Sequence, residues 1–185
     1  MSELKKVNNA AYKSTIRVNA GKLKQVSWYI TNIIFFKNSF NVSSAIRVFL
    51  LKLFGAKIGK GVVIKPSVNI KYPWKLTIGS YTWIGEKVWI DNLETVTIAS
   101  NCCLSQGCLL LTGSHDAMKE KFDYAALPIE IEDGVWIGAN AIVTAGITCG
   151  SHAVLGAGSV TDKNLLPYII YKGNPAVPVI SRIIS

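Results

Sequence analysis

From Ile58 onward an aliphatic side chain returns at every sixth position. The series runs Ile58, Ile64, Ile70, then Ile78, Ile84, Ile90, then Ile98, Leu104, Leu110. It pauses, and resumes at Ile131, Ile137, Val143, Cys149 and Leu155. The next residue is often small, as at Gly59, Gly79, Ala99, Gly138 and Gly156. Four places after the aliphatic residue stands a second compact one, such as Val62, Val68, Val88, Cys108, Val135 and Ala153; Glu94 breaks this rule. A period of six matches neither a helix nor a simple alternating strand. Short extended segments joined by tight corners produce it, with small residues where φ turns positive. Three hexads close a triangular turn, and successive turns stack as parallel strands about 4.8 Å apart. The predicted fold class is all-β: a parallel β-helix of hexapeptide repeats over residues 58–166, then a closing segment, 167–185.

Ile58 to Ile78 and Ile78 to Ile98 are both 20 residues, an eighteen-residue turn plus a two-residue insertion. Ile137 to Leu155 is eighteen, but Ile98 to Ile131 is 33. That surplus of fifteen predicts one long loop, about residues 113–127, opening within "LLTGSHD" at 110–116. A single long loop in a compact coil is where function is expected.

Residues 1–57 follow another pattern. "WYITNIIFF" and "AIRVFLLKLFGA" are apolar but too short or too charged to span a bilayer. They predict an amphipathic helical arm. The opening "MSELKKVNNAAYK" is polar and does not read as a secretory signal. Charge sharpens the contrast. The net charge is +9, and residues 1–60 hold eleven Lys/Arg against one acid, Glu3, whereas 61–185 hold nine against ten. A basic arm rich in Phe and Trp suits an anionic membrane surface, or packs on the main domain as an ordinary amphipathic element. No nucleic-acid motif accompanies it. Cys102, Cys103, Cys108 and Cys149 form no CxxC pair. They read as small buried thiols in a reducing compartment, not as a zinc site or disulfide framework.

The hexads resemble those of the hexapeptide-repeat acyltransferases. "IEDGVWIGANAIVTAGITCGSHAVLGAGSV" is similar to the second half of that family's signature, and "YIIYKGNPA" to its closing segment. "KIGKGVVIKPSVNIKYPWKLTIGSYTWIGEKVWIDNLETVTIAS", with "SWYITNIIFFKNSF" before it, looks most like the colanic acid biosynthesis acetyltransferase subgroup. The resemblance covers residues 58 to about 180. It implies a left-handed coil, a handedness the period alone does not give. It also implies an acetyl-coenzyme A-dependent O-acetyltransferase acting on a sugar or sugar-lipid intermediate of surface polysaccharide. A homotrimer with sites between subunits comes with it, and the basic arm adds the inner membrane face as a docking place for a cytoplasmic enzyme.

Acetyl transfer from a thioester to a hydroxyl needs a base, oxyanion donors and a means of holding two substrates together. Histidine suits the first role, since it titrates near neutrality. Of the two histidines, His115 lies where the loop opens, in a segment similar to the one that carries the family's catalytic histidine. Asp116 beside it, or Glu94, is a candidate orienter, and either also reads as a surface carboxylate. His152 falls at a corner and reads as surface. Asp91 and Asn92, in "WIDN", are candidate sugar contacts by the resemblance and ordinary turn residues otherwise. The coenzyme positions carried over are Ser105, Ala139, Ala157, Asp162 and Lys163, with Asp162 standing where the family usually has threonine. Small residues at the Gly and Ala positions also follow from corner geometry. Trp83, Trp89 and Trp136 read as outward, fit for an interface.

No metal is implied: two histidines cannot supply a three-histidine zinc site. No GxSxG motif is present, and Cys108 and Cys149 sit at buried pattern positions, which favours direct attack over an acyl-enzyme. Two alternatives stand beside this reading: transfer to an amine, on an amino sugar or serine, and a non-catalytic β-helical scaffold.

Overall fold

The protein is described by a computed structural model covering residues 5–40 and 43–185; the arm's positions 1–4, with Glu3, and 41–42 lie outside the described residues. The hexads form three parallel faces. On the first face, Ile58, Ile78, Ile98, Ile131 and Cys149 stand in register. On the second, Ile64, Ile84, Leu104, Ile137 and Leu155 do so. The third aligns Ile70, Ile90, Leu110, Val143 and Thr161. Except for Ile58, which is half-buried, these side chains are at most 1% exposed. They build one column, to which each buried Ile or Leu contributes about 1.5–3 kcal/mol.

The corners explain the rest of the pattern. Ser67, Lys87, Asn101, Asn140 and His152 hold left-handed φ of 54–60° three places after an inward residue. Gly138 shows why glycine is needed there: a Cβ would strike the backbone of Gly156 and Ala157 in the next turn.

Every insertion falls at one edge of the prism, between the third face and the first. Ile70 to Ile78 and Ile90 to Ile98 are each eight residues, and Leu110 to Ile131 is 21. The fifteen-residue surplus is not a structureless loop. Gly113–His115 pairs antiparallel with Tyr124–Ala126, and Leu127 N–H closes on the Thr112 carbonyl at 2.8 Å. A hairpin therefore projects from this edge. Strands of three residues are too short to show alternation, so the pattern read only as a loop.

The N-terminal arm closes one end of the column. Helix α1 (Lys22–Thr31) runs into a π-helical turn, Asn32–Phe36, and α2 (Ser44–Leu53) follows. An open solenoid end presents unpaired backbone groups that need partners. Trp28 Nε1 donates to the Ile70 carbonyl at 3.0 Å, Arg47 Nη1 to the Ile64 carbonyl at 3.0 Å, and Ile64 N–H to Ser44 Oγ at 2.8 Å. Trp28, Phe36 and Leu51 cover the aliphatic column beneath. At the other end, Ile169–Gly173 extends the second face and Ala176–Ser181 folds back on it antiparallel. Among the described residues no helix is long and apolar enough to cross a membrane.

Candidate active site

His115 ends the outgoing hairpin strand, where its imidazole is exposed but held on several sides. Phe122, from the hairpin tip, stacks on it with centroids 4.2 Å apart and planes 10° apart. Tyr124 meets it edge-on at 4.7 Å, and Tyr12 of the N-terminal arm does so at 5.7 Å. Nδ1 lies 2.7 Å from the Phe122 carbonyl oxygen. A carbonyl can only accept, so Nδ1 carries the proton in this contact and Nε2 is left with a free lone pair. That is the tautomer a general base requires.

Neither candidate carboxylate orients the ring. Asp116 Oδ1 accepts from Met118 N–H at 2.9 Å, which ties it to the hairpin turn. Glu94 Oε1 accepts from the Thr95 amide and hydroxyl, and Oε2 lies 3.7 Å from Lys75 Nζ. Burial works to raise the Glu94 pKa, but the Thr95 bonds and Lys75 outweigh it and hold the carboxyl below its usual range. The orienting group is a main-chain carbonyl, which no side-chain motif announces.

Asp91 and Asn92 sit at the same edge, one turn below. Asn92 is fully buried, with Oδ1 accepting from Tyr72 N–H and Nδ2 donating to the Tyr72 carbonyl. It pins the corner and, being fully buried, presents no atom to a substrate. Asp91 is 7% exposed, its Oδ1 2.9 Å from Lys71 Nζ. The ammonium sits outside hydrogen-bonding angles, so this is an ion pair and that oxygen has no aligned donor.

The coenzyme candidates divide between two edges. Ser105, Ala139 and Ala157 stack at the edge between the second and third faces. There they line a cleft of about 660 Å³ with Trp136 and Ile170. A second cleft of about 370 Å³ shares Ser105 and Gln106 and continues past Trp83 to Val63. Together they form a trough along most of the coil. Asp162 and Lys163 do not reach it: they follow Thr161 on the third face and precede Leu165, which bridges to Cys149 on the first. Lys172 and Arg182 enter the trough instead. Arg182 follows directly on the strand that folds back over the end of the coil, and Nη1 donates to the Gly134 and His152 carbonyls at 2.9 and 3.0 Å. Lys172 lies on Ile169–Gly173, which extends the second face after the hexad pattern has ended, so no repeat position marks it.

Cys102, Cys108 and Cys149 are buried and poorly suited to act as nucleophiles, whereas Cys103 is half-buried. Burial pushes the Cys102 thiol up to about 11 and those of Cys108 and Cys149 up to about 12. Among the described residues no group of His, Cys, Asp and Glu could hold a metal ion.

Comparison with known proteins now bears on the site. The family described as "hexapeptide repeat of succinyl-transferase" matches residues 128–163. WcaF of Escherichia coli (strain K12), named as a colanic acid biosynthesis acetyltransferase, is 42% identical over 161 residues, 87% of this chain and 88% of its own length. The chain belongs to the hexapeptide-repeat acetyltransferases. A member of that family from Vibrio cholerae shares the fold, with a TM-score of 0.80 at 22% identity, covering 88% of this chain and 94% of its own. A galactoside acetyltransferase solved with coenzyme A overlays with a TM-score of 0.77 at 26% identity, covering 86% of this chain and 80% of its own.

In this hexapeptide-repeat acetyltransferase the trough suits a long, thin cosubstrate. Ala157 is exposed, so stacking of the turns does not account for its small size as it does for Gly138. Lys172 and Arg182 supply positive charge at one end, where a nucleotide phosphate needs it.

Proposed function

We propose that this enzyme transfers the acetyl group of acetyl-coenzyme A to a hydroxyl of a saccharide in surface-polysaccharide assembly, with His115 as general base. The carrying observation is the Nδ1 contact to the Phe122 carbonyl, which leaves Nε2 free to accept a proton. Nε2 takes the hydroxyl proton as the oxygen attacks the thioester carbonyl. The carbon–sulfur bond then breaks, and the proton passes from the imidazolium to the departing thiolate. The sugar acceptor and the polysaccharide role rest on the likeness to WcaF and to galactoside acetyltransferase.

His115, with Asp162 and Lys163, lies at one edge of the prism, and Ser105, Ala139 and Ala157 lie at the next. One chain cannot bring both edges to one thioester. A homotrimer joins the hairpin edge of one subunit to the trough of its neighbour, and Asp162 and Lys163 then meet the coenzyme across that boundary. The exposed Trp83 and Trp136 on the second face support such an interface.

The arm carries the enzyme to the membrane. On α1 and its extension Leu23, Val26, Ile30 and Ile33 form an exposed stripe, and on α2 Ile46, Phe49 and Leu53 form another. Lys22, Lys24, Lys37 and Lys52 flank them. That combination suits the anionic inner face of a bilayer, where a sugar-lipid acceptor resides.

Coenzyme A release with saccharide acceptors, measured on trimers mixed from His115→Ala and Ala157→Trp subunits, tests the reading. Each variant alone is expected to be inactive, and the mixture to regain part of the activity. Full activity of either variant alone contradicts it.

A further inference from the structure

Beside the hairpin edge, where α1 crosses the third face, lies a groove of about 430 Å³ bounded by Tyr29, Asn32, Lys71, Tyr72, Trp89 and Asp91. Its chemistry differs from that of the coenzyme trough. Tyr29 and Trp89 are 64% and 44% exposed and present ring surface. The Asp91 carboxylate and the Lys71 ammonium oppose each other across 2.9 Å, and Lys37 adds a cation to the lining. Asn32 Nδ2 donates to Asn69 Oδ1 at 2.9 Å, and Asn32 Oδ1 has no partner. Exchanging the amide's nitrogen and oxygen leaves one of its atoms unpaired all the same. Asp91 Oδ1 likewise lacks an aligned donor. Aromatic faces beside a carboxylate and an amide, with acceptors short of donors, suit a ligand rich in hydroxyls.

The groove lies beside the strand that leads to the hairpin of His115. Thr112 Oγ1 donates to the Asp91 carbonyl at 2.8 Å, and the hairpin begins at the next residue. Tyr124 folds its hydroxyl over Gly113, where a Cβ would collide with it, and turns its ring edge to His115. Leu111, paired with Asp91, is four residues from His115, a reach of at most about 14 Å. That upper bound leaves room for two linked pyranose rings, one at each place. The arm covers both ends. Asn8 N–H donates to the Glu120 carbonyl at 2.8 Å, Thr15 Oγ1 to the Tyr124 carbonyl at 3.2 Å, and Tyr12 packs on His115. Trp74 Nε1 and Lys75 Nζ fasten this strap at the Val18 and Arg17 carbonyls, at 2.7 and 2.8 Å.

We infer that the groove under α1 is a second saccharide subsite, so that the acceptor is an oligosaccharide with one ring at His115 and its neighbour against Tyr29 and Trp89. The inference rests on the sugar O-acetylation reading above and adds acceptor length to it.

Methyl glycosides of single hexopyranoses and of matching disaccharides provide the test, with kcat/KM read by coenzyme A release. The wild type is expected to favour the disaccharides by about tenfold or more, which is the discrimination one added ring contact gives. Tyr29→Ala is expected to raise the disaccharide KM and bring that ratio towards one, with the acetyl-coenzyme A KM and the melting temperature at wild-type values. Tyr81→Ala, equally exposed but elsewhere on the coil, should keep the ratio. Equal use of both acceptor lengths by the wild type, or a proportional loss on both in Tyr29→Ala, overturns the subsite. Binding of the same saccharides by NMR, without acetyl-coenzyme A, separates this from the reaction itself. Tyr29-dependent disaccharide binding without transfer keeps the subsite and contradicts the proposed reaction. Binding indifferent to Tyr29 overturns the subsite.

Discussion

Phe122 holds His115 twice: its carbonyl oxygen accepts from Nδ1 at 2.7 Å, and its ring lies flat against the imidazole at 4.2 Å. One residue thereby sets both the tautomer and the plane of the base. Phe122→Ala keeps the carbonyl but removes the stacking ring. It should lower kcat about tenfold by letting the imidazole swing, leaving the acetyl-coenzyme A KM in place. Steady-state kinetics with both substrates varied checks this, and an unchanged kcat counts against the role of the ring.

The two nearby carboxylates should be dispensable for proton transfer. Asp116 caps the hairpin turn, and Glu94 is engaged with Thr95 and Lys75. Asp116→Asn and Glu94→Gln are each expected to stay within about threefold of wild-type kcat, since side chains that only assist structure lack the roughly 10²–10⁴ effect of a base. A hundredfold loss in either, with the fold intact by circular dichroism, would restore that carboxylate as the orienter.

The column of the coil was legible because each inward position repeats and one period fits three faces. Ile64, Ile84 and Leu104 show this directly. His115 was legible because the repeat halts beside it. What surrounds His115 was not. The contacts to Tyr12 and Phe122 join residues 103 and seven positions away, through a ring and a carbonyl that no spacing rule marks. Which of the two readings of Asn92 holds, sugar contact or turn residue, was hidden for a related reason. A polar residue at a corner looks available until the Tyr72 backbone is seen to occupy both ends of its amide.

Cys102, Cys108 and Cys149 keep their thiols neutral by burial, with values of about 11, 12 and 12 against an unperturbed 9.0. The folded-state values are raised, so this contribution to stability is whole below about pH 9. Above that the unfolded chain ionises first, and the contribution is lost as pH climbs towards 11–12. The urea midpoint should therefore fall between pH 8 and 10, and fall less steeply in Cys108→Ala. The same slope in wild type and variant contradicts the assignment.

Trp28 closes the column by bonding the Ile70 carbonyl and packing on Phe36 and Phe54, each at 5.2 Å. Trp28→Ala should cost about 3–5 kcal/mol, the range for losing a large buried aromatic. Denaturant melts report it directly. A loss below about 1 kcal/mol would mean that the arm is not the cap of the coil.

In the proposed reaction His115 Nε2 removes the acceptor proton. The direct measurement is single-turnover acetyl transfer by His115→Ala, with coenzyme A affinity determined on the same preparation. The account predicts a rate lower by about 10²–10⁴ with coenzyme A binding unchanged. A rate within a few-fold of wild type would contradict it.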